Sequence, residues 1–465
     1  MNLMEYLEKR VKELNIAGAA VCVMGPDGIE YEAGFGTRSK DGEVRPDIDT
    51  VFGIASMSKS ITSLCISILA SEGKLSWDDP VSKYFPNFIL PGTPKDAVTL
   101  RHLAMHTAGI PPMEPLEWSI SMNTPGRTSE WDLAMQKSAP NRMDTIDDIV
   151  NYISNCGYEL LGEPGEYMSY SNEGYAILSY VADQAAGIPL ERFMKERVFD
   201  AIGMTRSLLD QDCSEARKAF GENITDLFDV EDGVLKGDAD WSILPPFRGC
   251  ACVKSTARDM AAYYRCIANF GMCGGKQVIP REAVEMLVGD AFPASRIPYY
   301  CLGLNKRKLD EHTIVEHDGG LHGVSTNGCA FLGEGIGIAT LTNTSDGDVD
   351  DLAWSVWNSL LGQPLERKNR WLSPIGREYS DPQMLTGSFT AREGVPCTYT
   401  VKYDESGLYA ENDGNRYDLK YCGDQWFQGF KDDDVQRRVR FFVRNGAAWA
   451  IKVGSRIYQR DKSEA

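Results

Sequence analysis

Strand patterns occur at both ends of residues 1–362, and the stretch between them is mainly helical. Near the start, "AGAAVCVM", the turn "GPDG" and "IEYEAGFG" predict a β-hairpin. Residues 328–343, "GCAFLGEGIGIATLTN", predict further strands, whereas residues 55–290 carry apolar faces of helical period. Because strands stand at both ends with helices between them, we expect one sheet completed by sequence-distant parts of the chain.

The pattern changes after residue 362. Residues 363–382, "QPLERKNRWLSPIGREYSDP", are polar and contain three prolines, which is typical of a linker. Short alternating segments such as "CTYTVKY", "QRRVRFFVR" and "AWAIKV" follow, separated by turn residues, and they predict a small antiparallel barrel or sandwich. We therefore predict a first domain over residues 1–362, a linker over 363–379 and a C-terminal domain over 380–465. Its core is expected to contain Trp426, Phe427, Phe430, Phe441 and Phe442.

Charge and composition exclude several classes of partner. The formal net charge of −19 disfavours nucleic acid and anionic membrane surfaces. No run of eighteen apolar residues predicts a transmembrane helix, and the amphipathic start does not resemble a signal peptide. Twelve scattered cysteines without metal-ligand spacing favour reduced, buried thiols. No metal or organic cofactor is expected. We expect a cytoplasmic protein, with export possible if a leader has been removed, and a homo-oligomer is possible.

The motif "SMSK" stands where the longest apolar helix of the first third begins. A serine and a lysine three residues apart lie on one face of a helix, close enough to exchange a proton. Burial and the positive end of the helix dipole lower the pKa of such a lysine and favour the neutral amine. Ser56 is interpreted as a nucleophile and Lys59 as its partner. The spacing alone is not specific, because Ser71 and Lys74 in "SEGK" repeat it.

Two further motifs carry polar groups suited to the same chemistry. "YSN" supplies Tyr170, whose phenol can pass a proton to a leaving group, and Asn172, whose carboxamide can hold a substrate amide. The alternative is that Tyr170 fills the core and Asn172 caps the next helix. "HDG" supplies His317, Asp318 and Gly319 at the end of a strand, where glycine permits close approach of another backbone. The alternative is a turn beside a surface histidine.

The order SMSK, YSN, HDG resembles the serine β-lactamase and penicillin-binding-protein superfamily, and most closely its class C-like branch of D-aminopeptidases, alkaline D-peptidases and esterases. The segments "TLRHLAMHTAGIP" and "GCACVKSTARDMAAY" are similar to the same branch, so the resemblance covers about residues 5–362. The C-terminal segment resembles, without sharp motifs, the lipocalin-like barrel of some D-peptidases. The resemblance implies an antiparallel sheet flanked by helices, an all-helical region and a small β-barrel.

The resemblance also implies a role for each motif residue. Ser56 would be the acylated nucleophile, Lys59 and Tyr170 the general base and acid, and Asn172 a substrate ligand beside His317, Asp318 and Gly319. The backbone N–H groups of Ser56 and Gly320 would form the oxyanion hole. Which of Lys59 and Tyr170 accepts the first proton stays open. The isolated histidines His102 and His106 are interpreted as structural hydrogen-bonding groups.

His317 occupies a position where many β-lactamases and penicillin-binding proteins have lysine. A histidine is largely neutral at pH 7 and Asp318 is anionic, so a clamp for a substrate carboxylate is not expected there. A free amine drawn to Asp318 is one hypothesis. The predicted function is hydrolysis, through an acyl-enzyme, of amide bonds in small peptides that contain D-amino acids. Alternatives are a β-lactamase or D-alanyl-D-alanine carboxypeptidase, a short-chain esterase, and an inactive binding or sensor homologue.

Overall fold

The computed structural model describes residues 1–231, 233–294, 298–345, 347–367, 372–394, 396–432 and 434–462. The helices of this part of the chain are α1 Leu3–Glu13, α2 Ser58–Ser71, α3 Leu100–Ala104, α4 Pro115–Asn123, α5 Glu130–Ser138, α6 Ile146–Asn155, α7 Asn172–Ala186, α8 Leu190–Met194, α9 Asp200–Ile202, α10 Ser214–Phe220, α11 Arg248–Ala251, α12 Ala257–Ala268, α13 Arg281–Gly289 and α14 Val349–Leu360.

The strands fall into two groups, one before and one after α14. The first group is β1 Gly18–Gly25, β2 Gly28–Gly36, β3 Val51–Gly53, β4 Leu208–Leu209, β5 Leu227–Glu231, β6 Val234–Ala239, β7 Val253–Thr256, β8 Met272–Cys273, β9 Lys276–Gln277, β10 Tyr299–Tyr300, β11 Asn305–Leu309, β12 His312–Leu321, β13 Val324–Phe331 and β14 Ile336–Thr342. The second group is β15 Gly387–Ala391, β16 Cys397–Asp404, β17 Gly407–Asn412, β18 Asn415–Gly423, β19 Trp426–Lys431, β20 Asp434–Arg444, β21 Ala447–Val453 and β22 Arg456–Arg460.

A seven-stranded antiparallel sheet joins the two ends of the first 360 residues, as the sequence predicts. Its strand order is β10-β11-β12-β13-β14-β1-β2. Every residue of β1 is buried, because α1 and α14 pack on one face of the sheet and α12 packs on the other. The side chains of a strand alternate, so Val21 and Val23 enter the core with α14 while Cys22 enters the larger helical core.

Helices fill most of residues 55–290, as expected, but short strands interrupt them. β3, β7 and β4 form a three-stranded sheet, and β5–β6 and β8–β9 form two small hairpins. Strands of two to six residues show too little alternation to be recognised from their pattern. All twelve cysteines are free thiols and nine of them are buried, in agreement with the sequence-based expectation.

The C-terminal strands form a closed barrel in which β15 to β22 follow one another and β22 pairs with β15. Phe427 and Phe441 pack inside it. The prediction that Trp426, Phe430 and Phe442 belong to this core is wrong: none of the three packs in it, and Phe442 points outward and contacts Leu161 of the first 360 residues. Neighbouring residues of a strand face opposite sides, so Phe441 and Phe442 cannot share one core.

The predicted linker contains no helix or strand within 363–367 and 372–379, the parts of it that the structure describes. The domain boundaries themselves stay a prediction. No helix within the described ranges is long and apolar enough to cross a bilayer, and the compartment stays a prediction.

Strand β12 meets the turn before α2 at very short range. A Cβ atom added to Gly319 would overlap the carbonyl oxygen of Ile54 and the hydroxyl of Thr326. That hydroxyl donates a hydrogen bond to the same carbonyl over 3.1 Å. Glycine at position 319 therefore lets the strand and the turn pack directly, while no atom lies within 4 Å of the equivalent position on Gly320.

Replacing Gly319 by alanine should therefore destabilise the fold. We expect Gly319→Ala to lower the free energy of unfolding by about 1–3 kcal/mol, because the overlapped carbonyl belongs to the backbone and must shift. Gly320→Ala, the matched control on the same strand, should change it by less than about 0.5 kcal/mol. Urea denaturation of both variants measures the difference, and equal stabilities would contradict the packing described here.

Candidate active site

Ser56 lies in a tight turn at the start of α2. The backbone enters through Ala55, whose φ of +43° is unusual for a residue with a side chain. A single 3₁₀ turn, Ala55–Met57, then continues into the α-helix. Within residues 51–60 only Ser56 is partly exposed and all the others are buried. The turn therefore presents one hydroxyl group to solvent on an otherwise buried support.

Lys59 is completely buried one helical turn later. Its Nζ lies 3.0 Å from Ser56 Oγ, 2.9 Å from Asn172 Oδ1 and 3.3 Å from the carbonyl oxygen of Cys250. Burial is the largest effect and lowers the pKa of this amine; Arg456 acts in the same direction, while Cys250 and Glu393 act against it. The environment thus favours the neutral form of the amine more than water does.

The three neighbours of Lys59 determine what each protonation state can do. An ammonium group has three protons and no lone pair, so it can only donate to all three oxygens. A neutral amine donates to Asn172 and to the Cys250 carbonyl, and its lone pair then faces the hydroxyl of Ser56. Only the neutral state can therefore accept the serine proton.

Tyr170 and Asn172 reach the same place from the start of α7. The Lys59 Nζ lies 4.8 Å from the centre of the Tyr170 ring. Burial raises the pKa of the phenol well above its usual range, while its interaction with Ser56 acts in the opposite direction. The Asn172 amide is bonded at both ends, its oxygen to Lys59 and its nitrogen to Glu393 Oε1 over 3.1 Å. Ser171, and not Asn172, caps the helix by accepting from the N–H of Gly174.

A chain of buried hydrogen bonds links the start of α7 to β12. The N–H of Ser171 donates to His106 Nδ1 over 3.1 Å, His106 Nε2 lies 3.1 Å from the Tyr300 hydroxyl, and this hydroxyl lies 3.0 Å from His317 Nε2. Because a backbone N–H can only donate, His106 carries its proton on Nε2 and donates it to Tyr300. The carbonyl of Asp318 can only accept, so Nδ1 of His317 carries a proton, and Nε2 of a neutral His317 then accepts from the Tyr300 hydroxyl.

The hydrogen bond from Ser171 requires a neutral His106, and burial favours the neutral form of His317. Burial lowers the pKa of His106 well below its usual range and also lowers the pKa of His317. His317 therefore offers no positive charge to a substrate, as the sequence suggests, although it lines the cavity that also contains Asp318. His106 is a structural group, as expected, but Tyr300 has no sequence motif and is missed by the sequence analysis.

On β12 the side chains alternate between the fold and the cleft. His317 and Gly319 are buried, whereas Asp318 and Gly320 are exposed and face the opening beside Ser56. Asp318 thus points toward the cleft and not away from it. The predicted roles of Ser56 and Gly320 as oxyanion-hole donors and of the HDG residues as substrate ligands stay predictions.

The barrel forms one wall of the cleft in its own chain. The turn between β21 and β22 lies against Tyr170, whose N–H donates to the carbonyl of Ser455 over 2.9 Å. Arg456 lies with its guanidinium 4.3 Å from the centre of the Tyr170 ring and pairs through two of its nitrogens with Glu393.

Two further contacts hold the barrel on this segment. The N–H of Ile457 donates to Ser169 Oγ over 3.1 Å. Lys452 donates to the carbonyl of Met168 over 2.9 Å. The sequence does not determine whether the barrel lies against its own chain or a neighbour's, because strand alternation indicates which residues face outward but not what they contact.

Two cavities of different charge meet at Ser56. The acidic cavity, of 630 Å³, is lined by the carboxylates of Glu117, Asp229, Glu231 and Glu393 against the single guanidinium of Arg456. The barrel-side cavity, of 420 Å³, is lined by four cationic side chains and three carboxylates. Ser56, Tyr170, Gly320 and Arg456 line both cavities. Burial and the neighbouring Glu393 raise the pKa of Glu117, so the acidic cavity favours a bound positive charge.

A curated penicillin-binding protein is similar in sequence to part of this chain. Penicillin-binding protein 4* of Bacillus subtilis (strain 168) is 33% identical over 191 residues, which are 41% of this chain and 37% of that protein. The chain therefore matches little more than a third of the length of this curated relative.

Two solved structures share the fold. The octameric penicillin-binding protein homologue from Pyrococcus abyssi superimposes with a TM-score of 0.67 at 20% identity and covers 98% of both chains. The D-amino acid amidase from Ochrobactrum anthropi SV3, in complex with D-phenylalanine, superimposes with a TM-score of 0.59 at 19% identity, over 78% of this chain and 100% of that one. At these identities the likeness establishes the fold and not the substrate.

The beta-lactamase family model matches residues 3–360, which include the SMSK, YSN and HDG motifs and the whole seven-stranded sheet. The chain therefore belongs to the beta-lactamase family.

Proposed function

We propose that this protein is a serine hydrolase that cleaves the amide bond after an N-terminal D-amino acid residue of a small peptide or amide. The observation that carries the proposal is the position of a partly exposed Ser56 hydroxyl, 3.0 Å from a buried amine, where two cavities meet. A buried lysine with a lowered pKa is a suitable base for a serine hydroxyl. Family membership and the amidase-like fold support the same reaction class.

The reaction has two halves. In acylation, neutral Lys59 accepts the proton of Ser56, Oγ bonds to the substrate carbonyl carbon, and the backbone N–H groups of Ser56 and Gly320 bind the oxyanion. The C–N bond then breaks, and the leaving nitrogen takes up the proton from Lys59 through Tyr170. Tyr170 is suited to this transfer because it lies beside Lys59 and lines the same cavity as Ser56. In deacylation, water adds to the ester with the same groups acting as base and acid. The carboxylic acid leaves and Ser56 regains its proton.

The charge of the acidic cavity supports a substrate with a free amine. Glu117 and Glu393 line this cavity, and the pKa of Glu117 is raised by its burial and by Glu393. An ammonium group bound beside Glu117 would stabilise its ionised carboxylate, whereas Glu393 is already paired with Arg456. This assignment differs from the sequence-based hypothesis, which gives the amine to Asp318; Asp318 lines the barrel-side cavity instead. Asn172, between Lys59 and Glu393, would orient the N-terminal D-amino acid residue of the substrate.

The preference for a D-residue and the assembly state are part of this proposal. The solved structure that shares the fold is named a D-amino acid amidase, and this name supports D-amino acid substrates here, although the same amidase is described with bound L-phenylalanine as well as D-phenylalanine. The octameric state of the Pyrococcus abyssi homologue supports a homo-oligomer.

The first test identifies the nucleophile and the handedness together. We expect the wild type to hydrolyse D-phenylalaninamide at least about tenfold faster than L-phenylalaninamide, and to form an adduct with a fluorophosphonate at Ser56 that mass spectrometry locates. Ser56→Ala should abolish both the hydrolysis and the adduct. Ser71→Ala, at the second Ser-x-x-Lys sequence of the chain, is the matched control and should retain both.

Two results would contradict the proposal. An adduct that persists in Ser56→Ala would remove the nucleophile assignment. Equal hydrolysis of the two amides would remove the stereochemical part and leave the reaction class in place.

The second test concerns the protonation state of Lys59. Because only the neutral amine can accept the serine proton, the rate of acylation should rise with pH and level off above the pKa of Lys59. Burial lowers this pKa from 10.5, so the midpoint should lie below 10.5. Lys59→Met should reduce the acylation rate by about 10²–10⁴-fold, which is the usual contribution of a general base. Lys74→Met is the control.

With the fluorophosphonate, which has no amine to titrate, a rate of adduct formation that falls as the pH rises through this range would show that the protonated lysine is the active form. The proposed base would then have to be replaced by Tyr170.

A further inference from the structure

The barrel-side cavity has a cationic wall that the proposed reaction does not use. Arg438, Lys452 and Arg456 reach it from β20, β21 and β22, and Arg307 reaches it from β11. Arg307 is paired with Glu316, and Arg456 is paired with Glu393. Lys452 is deeply enclosed, with only 4% of its surface exposed.

The Lys452 ammonium has no ion pair within the described part of the chain. Its Nζ donates to the carbonyl and the sulfur of Met168, over 2.9 and 3.0 Å. Burial lowers its pKa to about 7, and the neighbouring charges of Arg440, Arg438 and Arg456 act in the same direction. A buried cation among other cations is stabilised when an anion binds beside it.

The same cavity also contains three carboxylates, whose negative charges oppose the binding of an anion. They are Glu316, Asp318 and Asp350. Glu316 is neutralised by Arg307, and Asp350 accepts a hydrogen bond from Asn327 over 3.3 Å. Asp318 is exposed on β12, on the side of the cavity that belongs to the sheet, whereas Lys452 lies on the barrel side. The barrel side of the cavity is therefore the place for an anion.

We propose that Lys452, assisted by Arg438, binds the carboxylate of the leaving amino acid, so that the preferred substrate is a short peptide charged at both ends, a dipeptide. This inference rests on the proposed function. Ser56 lies where the two cavities meet, so a scissile carbonyl at Ser56 has one end of the substrate in each. The ammonium end suits the acidic cavity and the carboxylate end suits the barrel-side cavity. After the C–N bond breaks, the released amino acid remains in the barrel-side cavity until it dissociates.

Binding to a variant that cannot turn over tests this inference separately from catalysis. In Ser56→Ala, D-phenylalanylglycine should bind at least about tenfold more tightly than D-phenylalanylglycinamide, which lacks only the negative charge. Adding Lys452→Met should bring this ratio close to one while the affinity for the amide changes by less than about twofold. Unchanged amide binding also reports that the cavity remains folded. Isothermal titration calorimetry measures all four affinities.

Three further variants test whether the positive charges of this cavity cause the preference for the acid over the amide. Lys452→Arg keeps a cation and should retain the preference. Arg438→Gln should lower the ratio, and it does not depend on the folding of a Lys452 variant. Lys402→Met, on the exposed surface of the barrel, is the matched control and should leave the ratio unchanged.

Equal affinities of the acid and the amide in Ser56→Ala would overturn the subsite, and so would a preference that survives Lys452→Met. A different result would show that the proposed function itself is wrong. In that case the wild type would not hydrolyse D-phenylalaninamide, a substrate whose leaving group carries no carboxylate.

Discussion

The enclosure of the Lys59 amine is the interaction on which the rest of the site depends. An amine without contact to water lies between a serine hydroxyl, a carboxamide and a backbone carbonyl. These three oxygens can satisfy an ammonium group, but burial favours the neutral amine. The sheet, α2 and α7 all contribute to this enclosure. Gly319 permits β12 to pack on the turn that carries Ser56, and Asn172 brings its oxygen from the first turn of α7.

The barrel completes a site that the beta-lactamase-like part leaves open on one side. Its β21–β22 turn brings Arg456 over the Tyr170 ring, and Glu393 joins Arg456 to Asn172. Arg456 thereby stands between two cavities and lines both. Its charge lowers the pKa of Lys59, whereas Glu393, its ion-pair partner on the barrel, acts in the opposite direction. The barrel thus influences the reacting groups as well as the space around them, which gives the appended domain a direct role in the proposed choice of substrate.

The sequence predicts the sheet, the helical middle and the barrel because long apolar faces and strict alternation are local properties of the chain. It also predicts which three motifs meet, although only through resemblance to a family, since spacing alone does not separate Ser56–Lys59 from Ser71–Lys74. Tyr300, Glu393 and Arg456 could not be predicted in this way. Their positions depend on packing between segments far apart in the chain, as in the contact of Glu393 with Asn172. The outward direction of Phe442 follows from alternation, but its contact with Leu161 does not.

The ionisation of Lys59 is the most direct test of this account. Lysine labelled with ¹³C at Cε gives an NMR signal that follows the charge of each amine, and Lys59→Met assigns the signal. The account predicts that the Lys59 signal titrates well below 10.5 in the free protein. A signal that stays that of an ammonium group up to pH 10.5 would contradict it, because the buried amine could then not accept the proton of Ser56.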